Sequence, residues 1–435
     1  MLTAFVRAFR TPDLRKKLLF TIAILGVFRL GSTLPSPDVN FTNIHTCLTL
    51  VKSSSLYGLV NLFSGGALLQ LSIFALGIMP YITSSIIIQL LIVVIPRLER
   101  LKEQGQSGQA KLTQYTRYLT IALAILQSTG IAALARSSPG QGSQLFPNCT
   151  EPILYSTSVF RITVLVLTMT AGTAVIMWLG ELITDRGIGN GMSLLIFTQI
   201  AARFPSQGAA ILAAKGSFVF TVVLVIGILI VAAIVFVEQA QRRIPVQYAK
   251  RMIGRRMYGG TSTYIPMKVN QAGVIPVIFA ASLLYLPSLL AKVWTSNRGF
   301  TNFVTNYLTK NDSASYVIIY FLLIVFFTYF YVAITFNPVE VSDNMKKYGG
   351  FIPGIRPGRP TAEYLDYVLS RITLPGSLYL GLVAIIPILA LGFLGTAQQF
   401  PFGGTSVLIL VGVGLDTAKQ IESQLMLRNY EGFLR

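Results

Sequence analysis

The densest group of charged side chains lies in the stretch QRRIPVQYAKRMIGRRMYGG (241–260). It contains six basic residues and no acidic residue: Arg242, Arg243, Lys250, Arg251, Arg255 and Arg256. A positive potential of this density attracts anionic surfaces, such as phosphate backbones, acidic protein faces or lipid headgroups. These residues therefore favour binding to a charged partner over catalysis.

A second basic stretch, NMKKYGGFIPGIRPGRP (344–360), has a different character because proline and glycine punctuate it. Its basic residues are Lys346, Lys347, Arg356 and Arg359. Proline and glycine on both sides of Arg356 predict a stiff turn. We expect both basic stretches to be shaped loops that project from the protein, with Arg356 placed for one directed contact.

Side chains that catalyse reactions or hold metals are scarce. His45 is the only histidine, so a Ser/His/Asp set cannot be assembled around a buried base. The glycine-rich stretch GIGNG (187–191) lacks the preceding strand and the spacing of a nucleotide-binding loop, and no P-loop pattern occurs. We therefore predict that the chain is not an enzyme and uses no cofactor or metal.

Composition indicates a membrane protein, since 53% of the 435 residues are hydrophobic and only 12% are charged. Apolar runs of a length that crosses a bilayer recur along the chain. We predict an all-α polytopic membrane protein with ten transmembrane spans: 18–34, 72–95, 118–135, 162–180, 188–202, 216–237, 269–291, 314–336, 372–395 and 402–418.

The distribution of basic residues predicts the orientation of these spans in the membrane. With the N-terminus inside, the inner segments hold 26 Lys and Arg and the outer segments hold 8. The positive-inside rule therefore places both termini in the cytoplasm. Cys47 and Cys149 then lie in outer loops, where they either form a disulfide or remain free thiols.

The ten spans divide into two five-helix halves, 1–215 and 216–435. Span two contains Gly77-Ile78-Met79-Pro80, and its counterpart, span seven, contains Gly273-Val274-Ile275-Pro276. Interrupted helices at matching positions of two halves are a usual sign of a transport pathway. A secondary transporter of small solutes is one alternative, but it would normally place an acidic residue within a span. No acidic residue lies in the middle of a span, and Glu181, Asp185, Glu238 and Asp416 fall near inner ends.

At these residues the chain resembles the SecY/Sec61-alpha family, the central subunits of protein-translocation channels. The resemblance runs along essentially the whole chain and looks closest to the Gram-positive and actinobacterial type. The stretches that carry it are 61–89, GELITDRGIGNGMSLLIF (180–197), QRRIPVQYAKR (241–251), KVNQAGVIPVIFA (268–280), GFIPGIRPG (350–358), FGGTSVLI (402–409) and NYEGFL (429–434).

The resemblance implies an hourglass-shaped pore that a ring of apolar side chains closes at its waist. The matching positions here are Ile78, Ile82, Met192, Ile196, Ile278 and Ile409. Met192 departs from the branched aliphatic residue that is usual in the family. Because methionine is flexible and apolar, we expect the seal to persist with a looser fit.

The resemblance also implies a plug, a short half-helix at about 57–71 that precedes span two and closes the outer funnel. Its candidate residues are Asn61, Phe63, Ser64, Gly65, Gly66 and Leu68. Each of the two glycines weakens a helix by roughly 1 kcal/mol relative to alanine. A low intrinsic stability suits a segment that must leave the funnel and return.

Spans two and seven match the lateral gate of the family, which opens toward lipid. Candidate gate residues are Thr83, Ser84, Ser85, Gln89 and Asn270. We expect them to hold the gate shut through hydrogen bonds between the two helices, which contribute about 0.6 to 2 kcal/mol each in membranes. An apolar signal sequence can compete with bonds of that strength.

The function that the resemblance implies is a passive protein-conducting channel in the bacterial cytoplasmic membrane. It would pass unfolded secretory polypeptides across the membrane and release apolar segments sideways into lipid. The implied partners are SecE, SecG, the SecA motor ATPase, the ribosome, preproteins with signal sequences, and membrane lipids. The basic loops within 238–268 and 337–371, including Arg356, would bind the ribosome or the motor. An intramembrane enzyme and a non-conducting scaffold are further alternatives, but neither accounts for the plug and the ring.

Overall fold

A computed structural model describes residues 9–44, 67–68, 70–135, 152–248, 251–253, 256–258, 262–293, 299, 303–309, 313–394 and 404–431. These residues contain twelve α-helices and one π-helical segment, Val304–Thr309. The α-helices are α1 Pro12–Thr33, α2 Met79–Val94, α3 Pro96–Glu103, α4 Gln106–Ala135, α5 Val159–Arg186, α6 Gly191–Ala201, α7 Phe204–Gln239, α8 Ile275–Val293, α9 Ala314–Thr335, α10 Pro338–Lys347, α11 Arg359–Leu394 and α12 Gly404–Glu431.

A helix lies at each of the ten predicted spans, and α3 and α10 are short additions beyond them. Five described helices are long and apolar enough to cross a membrane, or six if α2 and α3, bent by 101°, form one broken span. Within α7 the stretch 216–239 has a mean hydropathy of 3.3 and exposes large apolar side chains such as Ile228 and Phe236. Lipid is the environment that accommodates such a surface. The chain is therefore a multi-pass α-helical membrane protein, and the count of ten crossings stays a prediction.

Helices α2 and α8 begin in the same way, and both begin later than their predicted spans. Gly77 and Gly273 have positive φ angles of 57° and 62°, which a side chain would disfavour. Each helix starts two residues later and has proline as its second residue, Pro80 or Pro276. The predicted starts at residues 72 and 269 are therefore wrong, because the left-handed glycine interrupts the helix. Proline then suits the first turn, where its missing N–H costs no hydrogen bond.

The centre of the molecule is an apolar cluster to which both predicted halves contribute. Its buried residues come from α1, α2, α5, α6, α8 and α12, and from Phe74 and Ile78 ahead of α2. Close helix contacts depend on glycine: a Cβ on Gly191 of α6 would lie 1.9 Å from the Gly180 carbonyl oxygen of α5. The predicted boundary between the halves, 215/216, coincides with a non-helical Gly216 inside α7.

The two basic stretches are not two separate loops, because one three-stranded sheet joins them. The strands are β1 Gln241–Tyr248, β2 Arg251–Ile253, β3 Arg256–Tyr258, β4 Ser262–Lys268 and β5 Gly350–Phe351. The three-stranded sheet has the order β4-β1-β5 with antiparallel neighbours, and β2 and β3 form a separate antiparallel pair. Ile244 and Val246 of β1 are buried against α9 and α11, while the side chains between and before them point to solvent. This sheet marks one side of the molecule, called the sheet side below.

Candidate functional site

The six apolar residues of the predicted ring converge at the centre of the molecule. Ile78, Ile196, Ile278 and Ile409 are buried members of the central cluster, and Ile82 and Met192 pack against them. Ile78 directly precedes α2, and the other five residues lie on α2, α6, α8 and α12. Four helices therefore contribute the ring side chains to one apolar cluster. The part that this ring plays in function stays a prediction.

Met192 owes its position to the cap of α6 and to a glycine on α5. The Asn190 side-chain oxygen accepts hydrogen bonds from the backbone amides of Met192 and Ser193 at 3.1 and 3.3 Å, which fixes the first turn of α6. A Cβ on Gly180 would lie 2.4 Å from the Met192 sulfur, so the methionine fills the space above that glycine. GIGNG thus forms the capped start of α6.

A cavity of about 520 Å³ ends at the ring. Ile82, Met192, Ile196 and Ile278 line its ring end. Its other lining residues include these polar ones: Ser85, Gln89, Thr113, Arg117, Glu181, Thr184, Asp185, Asn190 and Ser193. Tyr331, near the end of α9 that leads into α10, also lines it, which places the cavity on the sheet side of the ring.

An ion pair in the wall of this cavity was not predicted from the sequence. Arg117 of α4 donates two hydrogen bonds to the carboxylate of Glu181 of α5, from Nε and from a terminal nitrogen, each at 2.8 Å. The guanidinium side chain remains 46% exposed and the carboxylate side chain 22% exposed. The sequence offers only a weak indication of this ion pair, namely that two residues of opposite charge lie at the ends of consecutive spans.

Two of the predicted gate residues bond within their own helix. The Thr83 hydroxyl donates to the Met79 carbonyl at 2.9 Å, and the Ser84 hydroxyl donates to the Pro80 carbonyl at 2.8 Å. We expected these hydroxyls to bridge α2 and α8, and their donated bonds do not. In apolar surroundings, the hydroxyls of threonine and serine commonly donate a hydrogen bond to the backbone carbonyl four residues earlier in the same helix. Ser85 and Gln89 instead face the cavity.

Asn270, the fifth gate candidate, lies in the turn before α8. Its Nδ2 donates to Glu238 Oε1 at 2.5 Å and to the Gly273 carbonyl at 3.1 Å. Glu238, at the end of α7, is 8% exposed. Asn270 thus connects the end of α7 to Gly273, which precedes α8.

The basic residues occupy the sheet and the turn beside it. Arg242 and Arg243 are exposed on β1, and the Arg243 guanidinium lies 4.8 Å from the centre of the Tyr264 ring, in a cation–π contact. Arg356 is exposed in a turn in which Gly354 and Gly358 have φ angles of 82° and 102°. Of the remaining candidates, Arg251 and Arg256 lie on β2 and β3, while Lys250 and Arg255 lie outside the described residues.

Comparison with known proteins decides the family. A family model named SecY matches residues 72–418. Protein translocase subunit SecY of Streptomyces galbus is 66% identical over 442 residues, with both chains covered completely. The chain belongs to the SecY family. SecY of Mycobacterium bovis is 60% identical over 446 residues, again with full coverage of both chains.

Solved structures share the SecY fold at low sequence identity. One, described as a protein-conducting channel, has a TM-score of 0.64 at 18% identity and covers 94% of this chain and 91% of its own. Another, Sec61 in the canine ribosome-channel complex, has a TM-score of 0.60 at 17% identity with the same coverage. These likenesses show the fold, and they agree with the all-α membrane architecture predicted from the sequence.

The plug predicted from the SecY resemblance falls mostly outside the described residues. The plug residues that lie outside are Asn61, Phe63, Ser64, Gly65 and Gly66. The two cysteines of the predicted outer loops, Cys47 and Cys149, also lie outside the described residues. Leu68 is described and is 2% exposed, in a cluster with Leu71. Leu71 has a positive φ of 46° and its carbonyl accepts a hydrogen bond from the Ser36 amide at 3.0 Å. The chain between the plug region and α2 is therefore tightly packed.

Proposed function

We propose that this chain is the central subunit of a protein-conducting channel. It passes unfolded secretory polypeptides across a membrane and releases apolar segments laterally into lipid. The observation that carries the proposal is the convergence of six apolar side chains from four helices at the end of a cavity that polar side chains also line. Relatives named protein translocase subunit SecY, at 60–66% identity over the full length, support it. They give no support to a secondary transporter of small solutes.

The ring suits a substrate whose chemistry varies from residue to residue. Apolar side chains offer few specific contacts, so a passing polypeptide is not trapped at one sequence. Ile82 and Met192 are only partly buried and can adjust to a thread, since methionine in particular has several low-energy rotamers. When no polypeptide is present, an apolar constriction excludes water and thereby blocks ions. The SecY channel needs no bond-breaking chemistry for either task.

The lateral gate lies between α2 and α8, which belong to the two proposed halves, 1–215 and 216–435. Thr83 and Ser84 satisfy their hydroxyl protons within α2, so a gate that opens would not need to break those hydrogen bonds. Ser85 and Gln89 face the cavity, where they can contact an entering segment. We infer that separation of α2 and α8 is opposed mainly by apolar packing, which an apolar signal sequence can replace.

The basic sheet and Arg356 are the proposed docking surface for the ribosome and the SecA motor, both of which would approach from the cytoplasm. A structure of ribosome-bound Sec61 and one of the yeast Ssh1 complex on the 80S ribosome share the fold. The excess of basic residues on the sheet side supports a bacterial cytoplasmic membrane location with both termini inside. SecE and SecG are proposed as further subunits, because α7 exposes an extended apolar surface that lipid or a partner helix must cover.

Photocrosslinking tests this function directly. A photoreactive amino acid is placed at Ile82 or Ile409 of the ring, and at Ile228 of α7 as a control that is 60% exposed on the outer surface. A secretory precursor is then arrested during transport in membranes that contain the complex. Crosslinks from the ring positions, and none from Ile228, are expected. Absence of crosslinks from the ring, with transport shown to be engaged, would contradict the proposed path.

A further inference from the structure

Three of the four ring helices also carry one buried polar side chain about one helical turn from their ring residue. These pairs are Gln199 with Ile196 on α6, Ser282 with Ile278 on α8, and Ser406 with Ile409 on α12. Residues three or four apart share a helix face, so each polar side chain lies on the side of its helix that faces the ring. Gln199, Ser282 and Ser406 are called the polar tier below.

All three members of the polar tier lie on the same side of the ring, away from the sheet. Helix α8 begins just after β4, so Ser282 is further from the sheet than its ring residue. On α12, Asp416 reaches Lys268 of β4 at 3.6 Å, which places the Ser406 end of that helix away from the sheet. Gln199 is near the end of α6 that leads into α7, and α7 then runs back toward β1. The tier therefore follows the ring on a path that starts from the cavity.

The polar tier is buried, and the described residues offer its side-chain atoms no hydrogen-bond partner. Gln199, Ser282 and Ser406 are 1%, 4% and 1% exposed. Within the described part of the chain, both amide atoms of Gln199 and both serine hydroxyls lack a hydrogen-bond partner. Among the described residues, those four atoms are half of the eight buried side-chain atoms that lack a partner, so such atoms concentrate beside the ring.

Unpaired buried groups are unusual in native proteins, because a desolvated donor or acceptor without a partner destabilises the fold. Other hydroxyls in these helices avoid that cost. Thr198, next to Gln199, donates to the Leu194 carbonyl at 2.8 Å, and Ser84 of α2 bonds to its own helix in the same way. Ser282 and Ser406 leave this local option unused, so their hydroxyls remain available to a ligand.

We propose that the polar tier binds the main chain of the polypeptide that has just passed the ring, through hydrogen bonds to its peptide groups. The inference rests on the proposed function. A glutamine amide offers one acceptor and two donors, and so complements the C=O and N–H of a peptide unit. A serine hydroxyl also donates and accepts. Peptide groups are the one feature that all translocated sequences share, so binding to them does not depend on sequence.

The position of the tier fits this task. A polypeptide inside an apolar ring loses water from its peptide groups, and an unpaired peptide group in apolar surroundings is costly. Partners placed one turn beyond the ring shorten the stretch over which those groups remain unpaired. The tier would therefore retain a partly translocated chain and slow its backward sliding.

The experiment changes the substrate backbone as well as the channel. Precursors are prepared by semisynthesis with a short run of glycine, or of N-methylglycine, at the position that reaches the tier in an arrested intermediate. N-methylglycine removes the N–H donor from each peptide group. The rate of backward sliding after arrest is measured in proteoliposomes that contain the complete complex. We expect the N-methylated chain to slide at least about threefold faster, the effect of losing roughly one hydrogen bond.

Channel variants complete the comparison. Gln199→Leu should accelerate the glycine chain more than the N-methylated chain, because the N-methylated chain has already lost the bond from its N–H and retains only the bond to its C=O. Gln127→Leu is the matched control, because Gln127 is also a buried glutamine, 4% exposed, but lies on α4 outside the ring helices. It should change neither rate.

Three outcomes would overturn the proposal, and they separate it from the proposed function. Equal sliding of both chains in the unaltered channel, with crosslinks from Ile409 to the arrested chain, refutes binding by the tier and leaves the pore path intact. Equal acceleration of both chains by Gln199→Leu refutes the bond between the glutamine and the peptide N–H. Absence of crosslinks from Ile409 during engaged transport refutes the pore path and the tier together. The comparison of the two substrates in the unaltered channel stands even if a variant does not fold.

Discussion

The carbonyl oxygens of Ile78 and Val274 accept matching pairs of hydrogen bonds at the starts of α2 and α8. Ile78 accepts from the amides of residues 81 and 82 at 3.1 Å each, and Val274 accepts from those of residues 277 and 278 at 3.2 and 3.4 Å. In each case the second donor belongs to a ring residue, Ile82 or Ile278. The short sequence echo between the two halves thus corresponds to one repeated backbone arrangement that places one ring side chain from each half.

The glycine that begins this arrangement should be intolerant of a side chain. Gly273→Ala is expected to destabilise the protein by about 1 kcal/mol, because φ of 62° is strained for an L-residue while no atom lies close enough to clash with the new Cβ. Gly26→Ala is the control, since Gly26 lies within α1 with equally open space, and alanine there should be neutral or stabilising by up to about 1 kcal/mol. The measurement is denaturant unfolding in detergent. Equal effects of the two substitutions would contradict the backbone argument.

The bond between Asn270 and Glu238 should contribute to stability. Asn270→Leu removes the donor to a buried carboxylate oxygen at 2.5 Å and is expected to cost about 1–3 kcal/mol. Asn344→Leu, at an exposed position of α10, should change the free energy of unfolding by less than about 0.5 kcal/mol. Unfolding of the purified complex measures both. A cost for Asn270→Leu no larger than that of the control would mean that the carboxylate finds another donor.

The ion pair between Arg117 and Glu181 should by itself contribute little to the free energy of unfolding. Its two-point geometry at 2.8 Å is favourable, but the arginine side chain is 46% exposed and solvent screens the charges. A double-mutant cycle with Arg117→Gln and Glu181→Gln is expected to give a coupling free energy of about 0.5–1 kcal/mol that decreases at high salt. A coupling well above 2 kcal/mol would indicate that the cavity is drier than its exposed side chains suggest.

The ring should resist ion flow only while it stays apolar. Ile278→Asn should raise the resting conductance of the channel in planar bilayers, because a polar side chain favours water in the constriction. Ile278→Val keeps the apolar surface and should leave the conductance close to that of the unaltered protein. Similar conductances for the asparagine and valine variants would place the barrier to ions elsewhere, for example in the predicted plug.

Arg356 should contribute more to partner binding than its neighbour Arg359. Both are exposed, but Arg359 donates to Glu363 at 3.0 Å on its own helix, whereas Arg356 lies in the glycine-flanked turn. Arg356→Glu is expected to weaken ribosome or SecA binding by about tenfold or more, the loss of one charge-assisted hydrogen bond. Arg359→Glu should have a smaller effect. Affinity measured at two salt concentrations tests this, and equal losses would indicate a diffuse electrostatic contribution.

Much of the helical layout follows from the sequence, because an apolar run of membrane length has few ways other than an α-helix to satisfy its backbone hydrogen bonds in lipid. The residues of the ring were assigned through the family resemblance, since isolated isoleucines in apolar helices carry no pattern of their own. Contacts between distant segments were not predictable. The pairing of Gln247 with Phe351 joins residues about a hundred positions apart, and β5 has only two residues, too few to show the alternation that identifies a strand. The bond from Asn270 to Glu238 was missed for the same reason, since a buried amide has many possible partners.

Strand β1 of the first basic stretch pairs with β5 of the second, and this pairing has a mechanical consequence. It follows α7, pairs with β4, which leads into α8, and pairs with β5, which precedes α11. Main-chain hydrogen bonds across this ribbon, together with the side chains packed beneath it, make it stiffer than separate loops would be. A displacement of this sheet would therefore be transmitted to the short segment between β4 and α8, which contains Gly273. Force that a docked partner applied to the sheet would then reach the proposed gate through a short, stiff connection.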